Sequence, residues 1–362
     1  MKQLVFAVTN DLSYDQRMIR ICSSLSKVGY SVLLVGRRTK NSIPLISQPF
    51  KQKRLNGWFS GGKLHYVEYN FRLFRYLLFK KTDLICAIDL DTILPCYFIS
   101  KLKRITRVYD AHELFCEMKE VISRPSIYRF WKKIEQFAVP KFKNGYTVNE
   151  LIAEEFGKMY AVKYEVIRNV PCLYPLKLAQ KKDKYILYQG AVNEGRSFET
   201  LIPAMKNVSN PLVICGDGNF MQKAKELVKT HQLETRVIFK GRIPPAELKQ
   251  ITLNAWAGLT LFENKGKNNY YSLGNRFFDY LHAGLPQLCV AYPAYRSINE
   301  HFRVAVLTND LAPSAISTEL NRLLTDQKLY DELQLNCLKA REVYNWQQEE
   351  RKLLEFYDRL MN

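Results

Sequence analysis

The stretch Tyr271–Pro286, YSLGNRFFDYLHAGLP, carries the densest chemical pattern in the chain. A short polar loop with Gly274 leads into an amphipathic helical pattern that stops at Ala283-Gly284, before a new apolar run. Unpaired backbone N–H groups at such a helix start form an anion site suited to phosphate. Asp279 follows on the same helix, placed to accept hydrogen bonds from two vicinal hydroxyls, as on a ribose. Elsewhere VYDAHELF sets His112 in the loop after a strand, between Asp110 and Glu113, and VICGDGNF sets Gly216 before the helical run MQKAKELVKTH. That G-x-G alone is a weak nucleotide signal and lacks the third glycine of the dinucleotide fingerprint. Asp89-Leu90-Asp91 is a D-x-D, two carboxylates able to hold a divalent cation across a diphosphate. The phosphate-binding features lie in the other half of the chain, so 89–91 reads instead as acceptor cleft or helix cap. The five histidines show no ligand spacing, and no metal site is expected.

The elements that must position these residues alternate regularly. KQLVFAVTN reads as a strand, and QRMIRICSSLSKVG as a helix stopped at Gly29. YSVLLVGR, DLICAIDLD, RVYDAHE, GYTVN and YEVIRNV read as further strands. The series restarts with KYILYQG, PLVICGDG, RVIFKG, AGLTLF and LPQLCV. Strands alternating with helices imply parallel sheets with right-handed crossovers, and their carboxyl ends are where such sheets bind ligands. The proline- and lysine-bearing stretch before residue 184 reads as a linker. The division expected is 1–170, 171–340 and a C-terminal helix in 341–362, from Trp346 to Leu360, with the option of crossing back to the first domain.

Composition bounds the function. The chain has 362 residues, 47% hydrophobic, and no run approaches the roughly 20 apolar residues needed to span a bilayer. The start reads as a buried strand and not as a signal-peptide core. Eight cysteines, never in C-x-x-C pairs, read as small buried hydrophobes in a reducing, cytoplasmic setting. The net charge of +19 is uneven: residues 1–168 hold 29 basic and 15 acidic residues, residues 169–362 hold 25 and 20. Between Arg37 and Lys81 there are 11 basic residues against Glu68 alone, interleaved with nine aromatics. Such a cluster seeks an anionic surface. A core helix with solvated arginines is the plain alternative. Nucleic acid is set aside, because no helix-turn-helix, RNP or zinc-finger pattern accompanies the charge. The expected partner of 51–81 is the inner face of an anionic membrane, bound peripherally.

Over about 180–290 the chain resembles glycosyltransferase family 4, of the two-domain GT-B architecture. The resemblance rests on Leu273-Gly274-Asn275, Asp279 and Gly284-Leu285-Pro286. It also rests on YQGAVNEGR, where the family carries G-R-x-x-x-x-K, and on the strand-G-D-G-helix segment at Gly216. It implies an α/β fold of two Rossmann-like parallel-sheet domains. It also implies transfer of a sugar from a nucleoside diphosphate sugar to a glycan or lipid-linked acceptor, with retention and without metal or cofactor. His112 and Arg196 are implied as catalytic, His112 facing the sugar and Arg196 neutralising the diphosphate. Gly190, Asn193, Arg196, Gly216, Arg242, Tyr271, Ser272, Leu273, Gly274, Asn275 and Asp279 are implied as donor-binding. Tyr271 stands where the family has its first glutamate, and Ala191 where it has an arginine. Those two departures keep a membrane-bound inactive relative as an alternative, beside a GT-B-fold sugar-nucleotide epimerase.

Overall fold

A computed structural model describes residues 1–40, 42–59, 62–176 and 184–361. Lys177–Asp183 of the expected linker, and Ser60 and Gly61 of the basic stretch, lie outside the described residues. The chain divides into two compact units, Met1–Asn169 with Gln348–Asn362, and Val170–Gln347.

The first unit is built on a seven-stranded, all-parallel sheet. Its strands are β1 (Gln3–Ala7), β2 (Ser31–Arg38), β3 (Lys51–Asn56), β4 (Leu84–Ile88), β5 (Thr106–Ala111), β6 (Asn144–Thr147) and β7 (Glu165–Val166), in the order β3-β2-β1-β4-β5-β6-β7. The apolar runs LICA and LVFA in β4 and β1 are buried throughout, as strands covered on both faces must be. The direction of strand succession reverses between β1 and β4, which puts the crevice of an open α/β sheet at their carboxyl ends. The helix Gln16–Lys27 that follows β1 is capped by Asp15, whose carboxylate accepts from the Met18 N–H, and it buries Met18, Ile21, Cys22 and Leu25.

The helix Trp346–Met361 completes this unit. From Gln348 onward it belongs to the first unit, and it buries Leu353, Phe356 and Tyr357. The Tyr357 ring lies 5.9 Å from Phe6 on β1, and its hydroxyl lies 3.2 Å from that of Tyr146 on β6.

The second unit holds a six-stranded parallel sheet. Its strands are β8 (Ile186–Gln189), β9 (Leu212–Cys215), β10 (Val237–Gly241), β11 (Ala257–Thr260), β12 (Gln287–Val290) and β13 (Ala305–Thr308), in the order β10-β9-β8-β11-β12-β13. The reversal here lies between β8 and β11. The helix Asn275–His282 presses Phe277, Phe278 and Leu281 into the main core and Tyr280 against Gly258, where any Cβ would overlap its ring.

Two strands have no counterpart in the sequence reading. β3, KQKRLN, shows neither apolar alternation nor burial. It forms because β2 offers it a full edge of backbone partners, from Leu33–Lys51 to Arg38–Asn56. β13 pairs only with β12.

Candidate active site

Each unit gathers polar residues at the carboxyl ends of its strands, and each group is built from its own loops. In the second unit β8 ends at Gly190, whose φ of +119° only glycine adopts without strain. Its N–H donates to the Cys215 carbonyl at 2.9 Å. Gly216, ending β9, approaches so closely that a Cβ there would overlap the Gly190 carbonyl oxygen. The two loops are then laced together. Val192 N–H donates to Asp217 O at 3.1 Å, Phe220 N–H to Val192 O at 2.9 Å, and Asn219 N–H to Asn193 Oδ1 at 3.1 Å. Asn193, inferred as donor-binding, thus braces the loop with its side-chain oxygen.

Asp279 sits half-buried on the helix Asn275–His282. Its carboxylate accepts from Gln189 Nε2 at 2.9 Å, and Gln189 Oε1 lies 2.8 Å from the Thr252 hydroxyl. This buried relay fixes which way the carboxylate points. Arg196 lies in the loop between β8 and the helix Phe198–Ala204, its guanidinium 5.6 Å from the centre of the Phe262 ring beyond β11. The Glu263 N–H donates to Gly195 O at 2.8 Å and ties that loop to the end of β11.

Gly274 differs from expectation. Its N–H, read as an open phosphate donor, is donated to the buried Tyr295 hydroxyl at 2.7 Å. A helix entry beside a buried phenol satisfies its own first donor, which the local sequence cannot show. Asn275, at the first turn, is exposed. Ser272 turns its hydroxyl to Asn269 O at 3.2 Å, and Leu273 packs against the core. The Tyr271 ring lies half-buried, 5.5 Å from Tyr270. Arg242 projects into solvent past β10, 3.6 Å from Asp217.

Three residues of this unit escaped the sequence reading. Gln189 and Thr252 orient Asp279, and Arg276 stacks on Tyr188 at 4.2 Å. Gln189 sits directly before the strand-end glycine and Arg276 one residue into the motif helix. Those positions were the available signal.

In the first unit His112 lies just past β5. Its Nε2 is 3.0 Å from Asp110 Oδ2 and its Nδ1 is 3.5 Å from Asp89 Oδ2, while its N–H donates to Asp89 Oδ1 at 2.9 Å. Arg17 closes the other side of Asp110 at 2.9 Å and donates to Ile167 O at 3.0 Å. Burial alone would lower the imidazole pKa. Asp110 and then Asp89 outweigh it and raise it to about 9. His112 is therefore an imidazolium at neutral pH, flanked by a carboxylate at each ring nitrogen. Burial works against the Asp110 carboxylate, yet Arg17 and His112 hold it below its ordinary range. Asp89, which makes two of the His112 contacts, has a positive φ of +55°, a backbone conformation that costs a non-glycine residue energy.

Asp91 faces elsewhere. Its Oδ2 accepts from Thr9 at 2.5 Å and its Oδ1 is buried without a partner. Burial, then the neighbouring Asp89, pushes its pKa up to about 7. The two D-x-D carboxylates thus serve different partners, and no metal-binding cluster occurs among the described residues.

The basic stretch forms the β3 edge and the helix Gly62–Leu78. Tyr69, Leu73 and Leu77 face the core, whereas Leu64, Val67 and Phe71 stand outward with Trp58, which is 82% exposed, and Phe79, 85%. Lys51, Lys53 and Arg75 are exposed beside them. Arg72 is engaged, lying 4.5 Å from the Trp58 ring centre and 2.9 Å from Glu68. No described helix is long and apolar enough to cross a membrane.

Comparison with known proteins gives these loops a context. Residues 176–339 match the family model described as glycosyl transferases group 1. A sequence comparison with curated proteins gives no match. Among solved structures the chain is similar to sucrose-phosphate synthase from Thermosynechococcus elongatus, at 16% identity and a TM-score of 0.81, covering 99% of both chains. It is similar to Anabaena HepE solved with UDP and glucose, at 13% identity and a TM-score of 0.80, covering 99% of this chain and 100% of that one. It is also similar to WaaG, a glycosyltransferase involved in lipopolysaccharide biosynthesis, at 15% and 0.74, covering 96% and 98%. At these identities the likeness establishes the fold, two parallel-sheet α/β units of GT-B type.

Proposed function

We propose that this chain is a glycosyltransferase that moves a sugar from a nucleoside diphosphate sugar to an acceptor, with retention and without a metal. The observation that carries the reading is the second unit's strand-end site. Two glycine-bearing loops cross at the carboxyl ends of β8 and β9, beside an oriented carboxylate and a loop cation, within the segment that matches glycosyl transferases group 1. In this reading Asp279, aimed by Gln189, accepts from the ribose hydroxyls. Arg196 offsets the charge that gathers on the diphosphate as the glycosidic bond breaks and its electron pair leaves with phosphate oxygen. His112, a fixed imidazolium, positions the sugar. Asn193 supports the donor loop from within.

The acceptor is lipid-linked or a surface-polysaccharide precursor, met at the cytoplasmic face of an anionic membrane. The outward apolar stripe Leu64, Val67 and Phe71, bordered by Lys51, Lys53 and Arg75, supports that part. At about 1 kcal/mol per basic residue near an anionic leaflet, a few such contacts give reversible, salt-sensitive attachment.

Release of nucleoside diphosphate from UDP-, GDP- and ADP-sugars, with and without a membrane extract as acceptor source, tests the reading. Acceptor-dependent release supports transfer. Donor conversion without acceptor assigns an epimerase, and neither outcome with intact binding assigns an inactive relative, the reading that Tyr271 and Ala191 keep open. Flotation tests the membrane part: phosphatidylglycerol vesicles should carry the protein, phosphatidylcholine vesicles should not, and Phe71→Asp with Arg75→Glu should abolish the difference. Equal flotation of that variant refutes it.

A further inference from the structure

Arg276 is a cation of the second unit that no carboxylate among the described residues neutralises. Its Nη1 is buried without a hydrogen-bond partner, and it makes no salt bridge among the described residues. The groups acting on it are the hydroxyls of Tyr188, which also accepts a hydrogen bond from it, Tyr280 and Tyr295, none of them a carboxylate. A cation withdrawn from water without a counter-ion is expensive, and it persists where an anion arrives to complete it. The guanidinium is also specifically placed. It stacks on Tyr188, whose own hydroxyl donates to Ala191 O at 2.7 Å, and a Cβ on Gly190 would lie 3.3 Å from its Nη2. Arg276 and Arg196 both act on the Tyr295 hydroxyl, which caps Gly274. One guanidinium from the loop after β8 and one from the helix Asn275–His282 thus share Tyr295 as a neighbour.

We propose that Arg276 is a donor-binding residue that supplies the second positive charge to the diphosphate, covering the space beside residue 191 where alanine brings none. The inference rests on the glycosyltransferase reading and deepens it: the site is a two-arginine diphosphate clamp, one arm from the loop after β8 and the other from the helix Asn275–His282. Planar guanidinium groups suit this task, since each can face two phosphate oxygens at once.

Titration calorimetry with UDP, GDP and ADP, on wild type, Arg276→Gln and Arg276→Lys, decides the matter. The wild type should bind at least one of the three. Arg276→Gln should weaken that diphosphate by about 10- to 100-fold, the scale of one charged hydrogen-bonding group, while leaving the matching nucleoside unaffected. Arg276→Lys should recover part of the loss. Melting without ligand separates binding from packing. With the uncompensated cation gone, Arg276→Gln should melt no lower than wild type. A folded Arg276→Gln that binds the diphosphate as wild type does overturns the inference and leaves the glycosyltransferase reading standing. So does a loss of diphosphate and nucleoside affinity together with a fall in melting temperature, which would assign Arg276 to packing. A wild type that binds none of the three overturns both.

Discussion

Replacing His112 by glutamine should cost stability in a strongly pH-dependent way. Glutamine keeps the length and a hydrogen-bonding tip but removes the charge that Asp110 and Asp89 enclose. A pKa of about 9 in the folded chain, against an ordinary 6.5, corresponds to about 3 kcal/mol of stabilisation of the charged form. Because the folded value is the higher one, this stability is present in full below about pH 6.5 and is lost as the pH rises through about 9. Urea unfolding of wild type and His112→Gln should therefore differ by about 3 kcal/mol more near pH 6 than near pH 9.5. Asp91 titrates in the same range but is common to both chains, so it cancels to first order. Ring resonances of His112 offer a direct check, with a midpoint near 9 that Asp110→Asn should bring down. A pH-independent stability difference, or a ring titrating near 6.5, would refute the enclosed-imidazolium account.

Other outcomes follow from the same geometry. Arg196→Ala should lower turnover by about 100- to 1,000-fold, the scale for removing one charge stabiliser, and a variant retaining most activity would exclude Arg196 from the site. Gly216→Ala should destabilise the second unit by about 3 kcal/mol, because its Cβ would overlap the Gly190 carbonyl oxygen; an unchanged melting temperature would refute that approach. Turnover should persist in EDTA, and activity lost there but restored by Mg²⁺ or Mn²⁺ would return Asp89 and Asp91 to consideration as ligands.

The fold was legible because its signals are local. Apolar runs such as LVFA and LICA announce buried parallel strands, and a polar loop after each announces a carboxyl end. β3 was not legible, since KQKRLN owes its conformation to β2 rather than to any pattern of its own. At the candidate site, residue types could be read but partners could not. Tyr295 reaches Gly274 across 21 positions, Asp279 depends on Gln189 across 90, and Arg17 meets Asp110 across 93. Arg276 shows the limit most plainly. It lies inside the most informative motif, yet its significance comes from lacking a counter-ion, a property of three-dimensional surroundings.

The returning helix carries a consequence for synthesis. Phe356 and Tyr357 sit against Tyr146 and Phe6, so the first unit's core is closed by residues synthesised after the whole of the second unit. Its earlier residues emerge long before that closure, with β1 and β6 still short of their aromatic cover. Domains ordinarily fold in order from the N-terminus during translation. Here the unit begun first must wait for the unit made second, so a chain cut after Gln347 would leave an incomplete first unit beside a second unit that has its whole span, Val170–Gln347.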